Sequence, residues 1–198
     1  MEEKIFISAN ELLEDAFELG KQVLDSNFKP DLIIGIWRGG SPIAIAIHEL
    51  LSLAGITADH IPVRTRFYST VGQHRDKVEL WGLDYLAERK GQFNKILLVD
   101  DVLDSGQTLA ALISNINSLY SNSDVNAEAD VPPEIRIATP WYKPQRNQTQ
   151  LSPDYHLHTT DAWLVFPHEL CGIDKSELLA HKPGIENIRL HLSESQAN

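Results

Sequence analysis

The chain has 198 residues, 42% of them apolar and 23% charged, enough for one domain with a sizeable core. Its net charge of −11 excludes the electrostatic footprint of a general nucleic-acid binder and repels small anions at long range. A polyphosphate substrate would therefore need attraction built locally from backbone N–H groups, a few Arg or Lys side chains and a divalent cation. Cys171 is the single cysteine, which excludes an internal disulfide framework and a cysteine-based zinc site and fits a reducing cytoplasm. No apolar run approaches the roughly 20 residues of a membrane span, and Met1–Ile5 lacks the basic start of a secretion signal. A soluble, cytoplasmic protein is expected.

Ser8-Ala9-Asn10-Glu11 is a capping-box pattern, and Leu12, Leu13, Phe17, Leu19, Val23 and Leu24 follow at helical spacing. An amphipathic helix over about residues 9–26 is predicted, ended by Pro30-Asp31. Leu32-Ile33-Ile34-Gly35-Ile36 is a continuous apolar run, the mark of a strand covered on both faces. Arg38-Gly39-Gly40-Ser41 reads as a turn, and Pro42 suits the first turn of a helix reaching about Leu53. Strand-like residues recur from Asp59 to Thr65. Phe67 to Val78 is polar, follows neither period and contains Gly72, so a long mobile loop or hairpin is expected, of the kind that serves as an active-site lid.

Lys95–Val99 reads as a second buried strand, Thr108–Tyr120 as a helix, Ser121–Pro133 as a polar, acidic surface insertion and Ile135–Thr139 as a strand. Trp141–His158 is irregular, Ala162–Phe166 is a further strand, Lys175–Ala180 a short helix, and the last residues are expected to fray. Helices alternating with continuous apolar strands argue for an α/β domain with a mainly parallel, twisted sheet flanked by helices. Ligands of such sheets sit at the carboxyl ends of strands near a switch point, where Arg38-Gly39-Gly40 and Asp100-Asp101 both fall.

Asp100 and Asp101 end a hydrophobic strand, and Asp104-Ser105-Gly106-Gln107-Thr108 opens the helix that follows. Hydroxyls and N–H groups at a helix start favour an anion, while adjacent carboxylates suit ribose hydroxyls or a hydrated Mg2+. A capped helix after an acidic turn could use Asp104-Ser105-Gly106 equally well. The full run Ile96–Thr108 is more specific: four apolar residues, two acids, then acid-Ser/Thr-Gly-x-Thr. It resembles the motif with which type I phosphoribosyltransferases bind 5-phosphoribosyl-1-pyrophosphate (PRPP).

The resemblance implies that Asp100 and Asp101 hold the ribose hydroxyls, directly or through Mg2+-bound water, and that Ser105, Gly106, Gln107 and Thr108 hold the 5′-phosphate. It puts Asp104 where the purine members place the carboxylate that handles the N7 proton of the base. Gln107 departs from the common Gly but keeps its N–H. Gly35-Ile36-Trp37-Arg38-Gly39-Gly40-Ser41-Pro42 looks like the family's pyrophosphate loop, in which backbone amides meet the leaving group, often across a non-proline cis bond. Arg38 can add charge-assisted bonds to phosphate there. Arg64, Arg66, Arg75 and Lys77, with Tyr68, Ser69 and Thr70, resemble the catalytic flexible loop, although the order Tyr68-Ser69 departs from the Ser-Tyr of some members.

The acceptor end lies later. Trp141-Tyr142-Lys143-Pro144, then Pro153-Asp154-Tyr155, then Trp163-Leu164-Val165-Phe166-Pro167 resemble the microbial hypoxanthine and xanthine-guanine phosphoribosyltransferases. By that resemblance Lys143 meets the purine O6, Trp163 stacks on the ring, Leu164 offers backbone contacts to the base edge, and Glu169 matches an acidic position near the site. One domain over 1–198 is expected, with a core over about 30–140 and a small base-binding hood over about 141–170 plus the termini. The implied activity is Mg2+-dependent transfer of the phosphoribosyl group from PRPP to hypoxanthine, guanine or xanthine in purine salvage, by a homodimer or higher homo-oligomer. A phosphoribosyltransferase for another base and a non-catalytic PRPP sensor are the alternatives. The eight histidines show no metal-ligand spacing; His156 and His158 read as structural or surface residues, and Cys171 as a buried or incidental thiol.

Overall fold

The computed structural model describes residues 3–68, 77–121 and 131–187. In chain order the elements are β1 (Lys4–Phe6), α1 (Ala9–Asp25), β2 (Leu32–Trp37), α2 (Gly40–Leu53), β3 (Asp59–Tyr68), β4 (Lys77–Trp81), α3 (Asp84–Glu88), β5 (Lys95–Val99), β6 (Val102–Leu103), α4 (Gln107–Ser121), β7 (Glu134–Ala138), β8 (Trp141–Tyr142), β9 (His158–Thr159), β10 (Trp163–Val165) and α5 (Lys175–His181). They divide into two compact units, 13–161 and 1–12 with 162–198. Among the described residues no helix is long and apolar enough to cross a membrane.

The larger unit is built on a five-stranded sheet of order β4-β3-β2-β5-β7. Its strands β3, β2, β5 and β7 run parallel, and only β4 is antiparallel. This is the expected α/β class with a mainly parallel sheet. Leu32 to Ile36 are buried throughout, as a strand covered on both faces requires. Ile34 and Ile36 face one layer with Leu98, Leu109, Leu112 and Ile116, which places α4 there. The other face carries α2. It comes so close at Gly35 that a Cβ there would stand 2.9 Å from the Ala44 methyl, so glycine sets the helix–sheet distance. The helix starts at Gly40, two residues earlier than Pro42 suggests.

From β2 the chain moves through α2 to β3 on one side, then returns across to β5 on the other. The carboxyl ends of β2 and β5 are therefore adjacent and their following loops diverge, which makes the switch point where such folds open a crevice. The Phe67–Val78 stretch supplies two arms of a hairpin, with Tyr68 paired to Lys77; residues 69–76, including Ser69, lie outside the described residues. So do 122–130 of the acidic insertion and the tail from 188. Trp141–His158 is less irregular than its composition suggests, because β8 pairs with β6 and β9 in a small parallel sheet. His158 packs on Trp141 at 4.3 Å and bonds Asp15 at 3.0 Å, and His156 meets the edge of Tyr142.

At the amino end of β3, the Tyr85 hydroxyl donates to Asp59, and this bond holds the Asp59 carboxyl below its usual range. A depressed acid stabilises the fold at pH values above its unfolded pKa and ceases to do so as pH falls through the folded one. Tyr85→Phe should therefore lower the urea midpoint at pH 7, and its gap to the parent should close as acid titration passes below the ordinary carboxylate pKa of about 3.9. A gap that stays constant down the titration would refute the linkage.

In the smaller unit β1 pairs with β10 in parallel register, Lys4 opposite Trp163 and Phe6 opposite Val165. Ser8 and Glu11 form the expected reciprocal capping box, at 2.8 and 3.2 Å. Lys4 bonds Glu177 of α5 at 2.8 Å, and the Phe6 and His181 rings stack at 3.9 Å. Cys171 is exposed rather than buried.

Candidate active site

The two glycine-rich and acidic segments singled out in the sequence meet at the ends of β2 and β5. A Cβ on Gly39 would fall on the Asp101 carboxylate, and a Cβ on Gly40 would strike the Val99 carbonyl and stand 2.8 Å from Asp100 Cα. Gly39 has ordinary helical dihedrals, φ −64° and ψ −33°. Its glycine is thus a matter of space, and it lets the loop lie against the acidic pair. The Trp37–Arg38 peptide is cis, and Arg38 is exposed.

Asp100 donates its N–H to the Ala138 carbonyl at 3.2 Å, and its Oδ1 accepts from the Asp101 N–H at 3.0 Å. Burial, and then the charge of Asp101, push the Asp100 carboxyl well above the usual carboxylate range. Two carboxyls crowded in this way are at ease only when a proton, a hydroxyl donor or a cation shares them. Among the described residues no three His, Cys, Asp or Glu side chains gather as a metal cage. Mg2+ needs less, since it takes one or two carboxylates and completes its shell with water and phosphate oxygens. The pair Asp100–Asp101 fits that demand.

Gly106 stands at φ +75°, a left-handed conformation that favours glycine, at the start of α4. A side chain there would also run into Asn147 Oδ1 at 2.8 Å. Ser105 Oγ accepts from the Gln107 N–H at a long 3.4 Å. The loop is held from outside: Gln148 N–H donates to the Ser105 carbonyl at 3.0 Å, and Gln107 Nε2 donates to Gln148 Oε1 at 2.6 Å. The Gln107 side chain is thereby turned to a neighbour, which explains how this residue is tolerated where Gly is common. Asn147 secures the brace by bonding Leu151 O at 2.6 Å and accepting from Thr149 N–H at 2.9 Å. Thr108 is partly buried in the first turn of α4.

The small sheet brings Lys143 to this loop. Leu103 pairs with Tyr142, and Lys143 N–H extends the ladder by donating to the Leu103 carbonyl at 2.9 Å. Lys143, only 4% exposed, is thus set beside Asp104, with its Nζ 3.3 Å from Oδ2. The sequence reading named both residues and missed the third member of the group. Arg146 Nε donates to Asp104 Oδ1 at 2.9 Å. A signal for it exists: Pro144 presets the second position of a turn, and the Arg146 N–H closes that turn on the Lys143 carbonyl at 3.2 Å. Residues i and i+3 of a turn stand side by side, so Lys-Pro-x-Arg presents two cations together.

Of the remaining candidates, Tyr68 ends β3 and Ser69 is outside the described residues. Trp163 and Leu164 belong to the smaller unit. Trp163 is 38% exposed and its ring carries the Lys4 ammonium 4.7 Å from its centre, while Leu164 is buried. Beyond them Phe166 is clamped at both backbone groups: its N–H donates to Glu169 Oε2 at 3.1 Å, and buried Lys182 donates to its carbonyl. Glu169 therefore fixes the exit of β10. Desolvation pulls the Lys182 ammonium below its usual range.

The sequence matches the model of the phosphoribosyl transferase domain over residues 7–171. It is 27% identical over 155 residues to the hypoxanthine-guanine phosphoribosyltransferase of Lactococcus lactis, covering 77% of this chain and 74% of that protein. The enzyme of that name from Streptococcus pneumoniae is 24% identical over 183 residues, covering 92% and 91%. The xanthine-guanine-hypoxanthine phosphoribosyltransferase of Helicobacter pylori superposes with a TM-score of 0.64 at 22% identity, over 90% of this chain and all of that one, and shares the fold. With four-fifths of its length inside the family's domain and the glycine turn packed against the acidic loop, the chain belongs to the phosphoribosyl transferase domain family and is a phosphoribosyltransferase.

Proposed function

We propose that the enzyme transfers the 5-phosphoribosyl group from PRPP to a 6-oxopurine, hypoxanthine, guanine or xanthine, yielding the nucleoside 5′-monophosphate and pyrophosphate in cytoplasmic purine salvage. The observation that carries this reading is the Lys143–Asp104 pair, 3.3 Å apart at the mouth of the Asp100–Thr108 loop. One edge of a 6-oxopurine offers an acceptor at O6 and a donor at N7–H. A lysine and a carboxylate side by side are the complement of that edge. Adenine has no O6 and would leave a nearly buried ammonium facing an amino group, at the cost of an unmet charged donor.

In this mechanism Ser105, Gly106, Gln107 and Thr108 hold the 5′-phosphate at the start of α4, where N–H groups and the helix dipole favour it. Asp100 and Asp101 take the ribose hydroxyls and hold Mg2+; when bound, the metal supplies charge neutralisation on the departing pyrophosphate. Amides of the Arg38-Gly39 turn, with the Arg38 guanidinium, receive that leaving group. The anomeric carbon passes through oxocarbenium character as its bond to pyrophosphate lengthens. N9 of the base bonds to it, the N7–H bond breaks, its electron pair returns to the ring, and the proton passes to Asp104. The family resemblance assigns stacking on the base to Trp163, base-edge contacts to Leu164, and lid duty to Tyr68 and Ser69.

The test is turnover of hypoxanthine, guanine, xanthine, adenine, uracil and orotate with PRPP and Mg2+. Turnover confined to the oxopurines is expected. Preference for adenine or a pyrimidine would reject the reading, and PRPP binding with no base consumed would point to a sensor.

A further inference from the structure

Asp104 is held by two cations on different oxygens. Lys143 faces Oδ2 at 3.3 Å, and Arg146 bonds Oδ1 through Nε at the shorter 2.9 Å. Their settings differ. The Lys143 side chain is 5% exposed and the Arg146 side chain 50%, with Asp104 between them at 34%. The main chain of Arg146 is pinned by the turn closed on Lys143 O, and the next residues are pinned by Asn147 and Gln148. The guanidinium therefore projects from a fixed support onto one oxygen of a carboxylate that sits on a loop.

From this geometry we infer that Arg146 is a positioning residue for proton transfer: it anchors Asp104 Oδ1 so that Oδ2 is the oxygen that takes the proton from the acceptor base. The inference rests on the reading of Asp104 as the general base. A base docked by its O6/N7–H edge takes the Lys143 ammonium at O6 and so draws it off Oδ2. Without a second anchor the carboxylate would then be free to rotate about its side-chain bonds. With Arg146 on Oδ1, Oδ2 stays aimed at N7. The balance closes within the group: the N7–H bond breaks, its electron pair stays in the ring, and the proton forms a bond to Oδ2. Oδ1, still an acceptor after protonation, keeps the Arg146 bond. Lys143 and Arg146 remain charged throughout, which tolerates the loss of negative charge at Asp104 because Lys143 has passed to O6. A misaimed base costs rate in the proton-transfer step and leaves PRPP binding intact.

The experiment is the single-turnover rate with saturating PRPP and Mg2+ for Arg146→Ala, Arg146→Lys and Asp104→Asn, each with hypoxanthine and with 8-azahypoxanthine. The ring N–H of the aza base is markedly more acidic and needs less help from a base, by Brønsted behaviour. Arg146→Ala should slow hypoxanthine by roughly 10-fold or more, a fraction of the ~10²–10⁴ a general base contributes. KM for PRPP should stay unchanged, Arg146→Lys should recover part of the rate, and the deficit should shrink with 8-azahypoxanthine. An equal deficit with both bases, or one confined to KM, would overturn the positioning role while Asp104→Asn stays impaired. Full activity of Asp104→Asn would instead bring down the general-base reading, and this inference with it.

Discussion

Asp104→Ala should lower kcat for oxopurine turnover by roughly 10²–10⁴, the ordinary contribution of a positioned general base, if Asp104 is the base proposed above. The same change releases Lys143, whose side chain is 5% exposed and whose ammonium stands 3.3 Å from Asp104 Oδ2. Removing one partner of a pair this buried leaves a charge short of its counter-ion, so apparent stability should fall together with rate. Asp104→Asn separates the two effects. The amide keeps an acceptor oxygen for one cation and so moderates the folding cost, yet it cannot take the N7 proton, so its kcat should be nearly as low as that of the alanine variant. Steady-state kinetics and thermal melts on the two variants check this. An alanine variant with full purine turnover would remove Asp104 from the mechanism.

Gly40→Ala should disable the enzyme by a different route. Its Cβ is driven into the Val99 carbonyl and stands 2.8 Å from Asp100 Cα. Both obstacles are backbone at the end of a fully buried strand, so the ends of β2 and β5 must part. Overpacking of this kind costs about 1–3 kcal/mol, and in a chain of this size each kcal/mol lowers Tm by roughly 2–4 °C. The displacement also spreads the glycine turn from the acidic pair, and a 1 Å misplacement of reacting groups costs on the order of 10²-fold in rate. Gly39→Ala supplies the contrast. Its methyl meets the Asp101 carboxylate, the movable end of a side chain. Turnover should fall there with a much smaller change in Tm. If Gly40→Ala melts and turns over like the parent, close contact of the two loops is not needed for function.

The Gly40 case shows what spacing can convey. Two glycines after a buried strand announce a close backbone approach without naming the partner. Asp101 and Val99 became that partner only when β5 was laid beside β2. The turn at Lys143–Arg146 is the converse. Pro144 was visible and the turn could have been read, but the direction of the two cations depends on the ladder that Lys143 N–H extends to Leu103 O. The short helix Asp84–Glu88 went unread because five residues hold too little period to register, and its place is set by Leu86 reaching the core. The strands within Trp141–His158 went unread for the same reason: two residues paired across forty in sequence have no local signature.

Local sequence by itself determined the parts that one segment can specify alone. Short continuous apolar runs bounded by turn residues marked β2 and β5 as buried strands, because a strand covered on both faces is apolar at every position. The acid-Ser-Gly-x-Thr run opened α4, and a helix start presents unpaired N–H groups wherever it lies. Tertiary structure decided what those parts address. It set the glycine turn against Asp101, raised the Asp100 carboxyl by burying it beside a like charge, and brought Lys143 and Arg146 onto opposite oxygens of Asp104. Apart from the charge of the neighbouring Asp101, each of these is an interaction across tens of residues. Its strength depends on distance and on the water excluded, and both come into being only when the chain is folded.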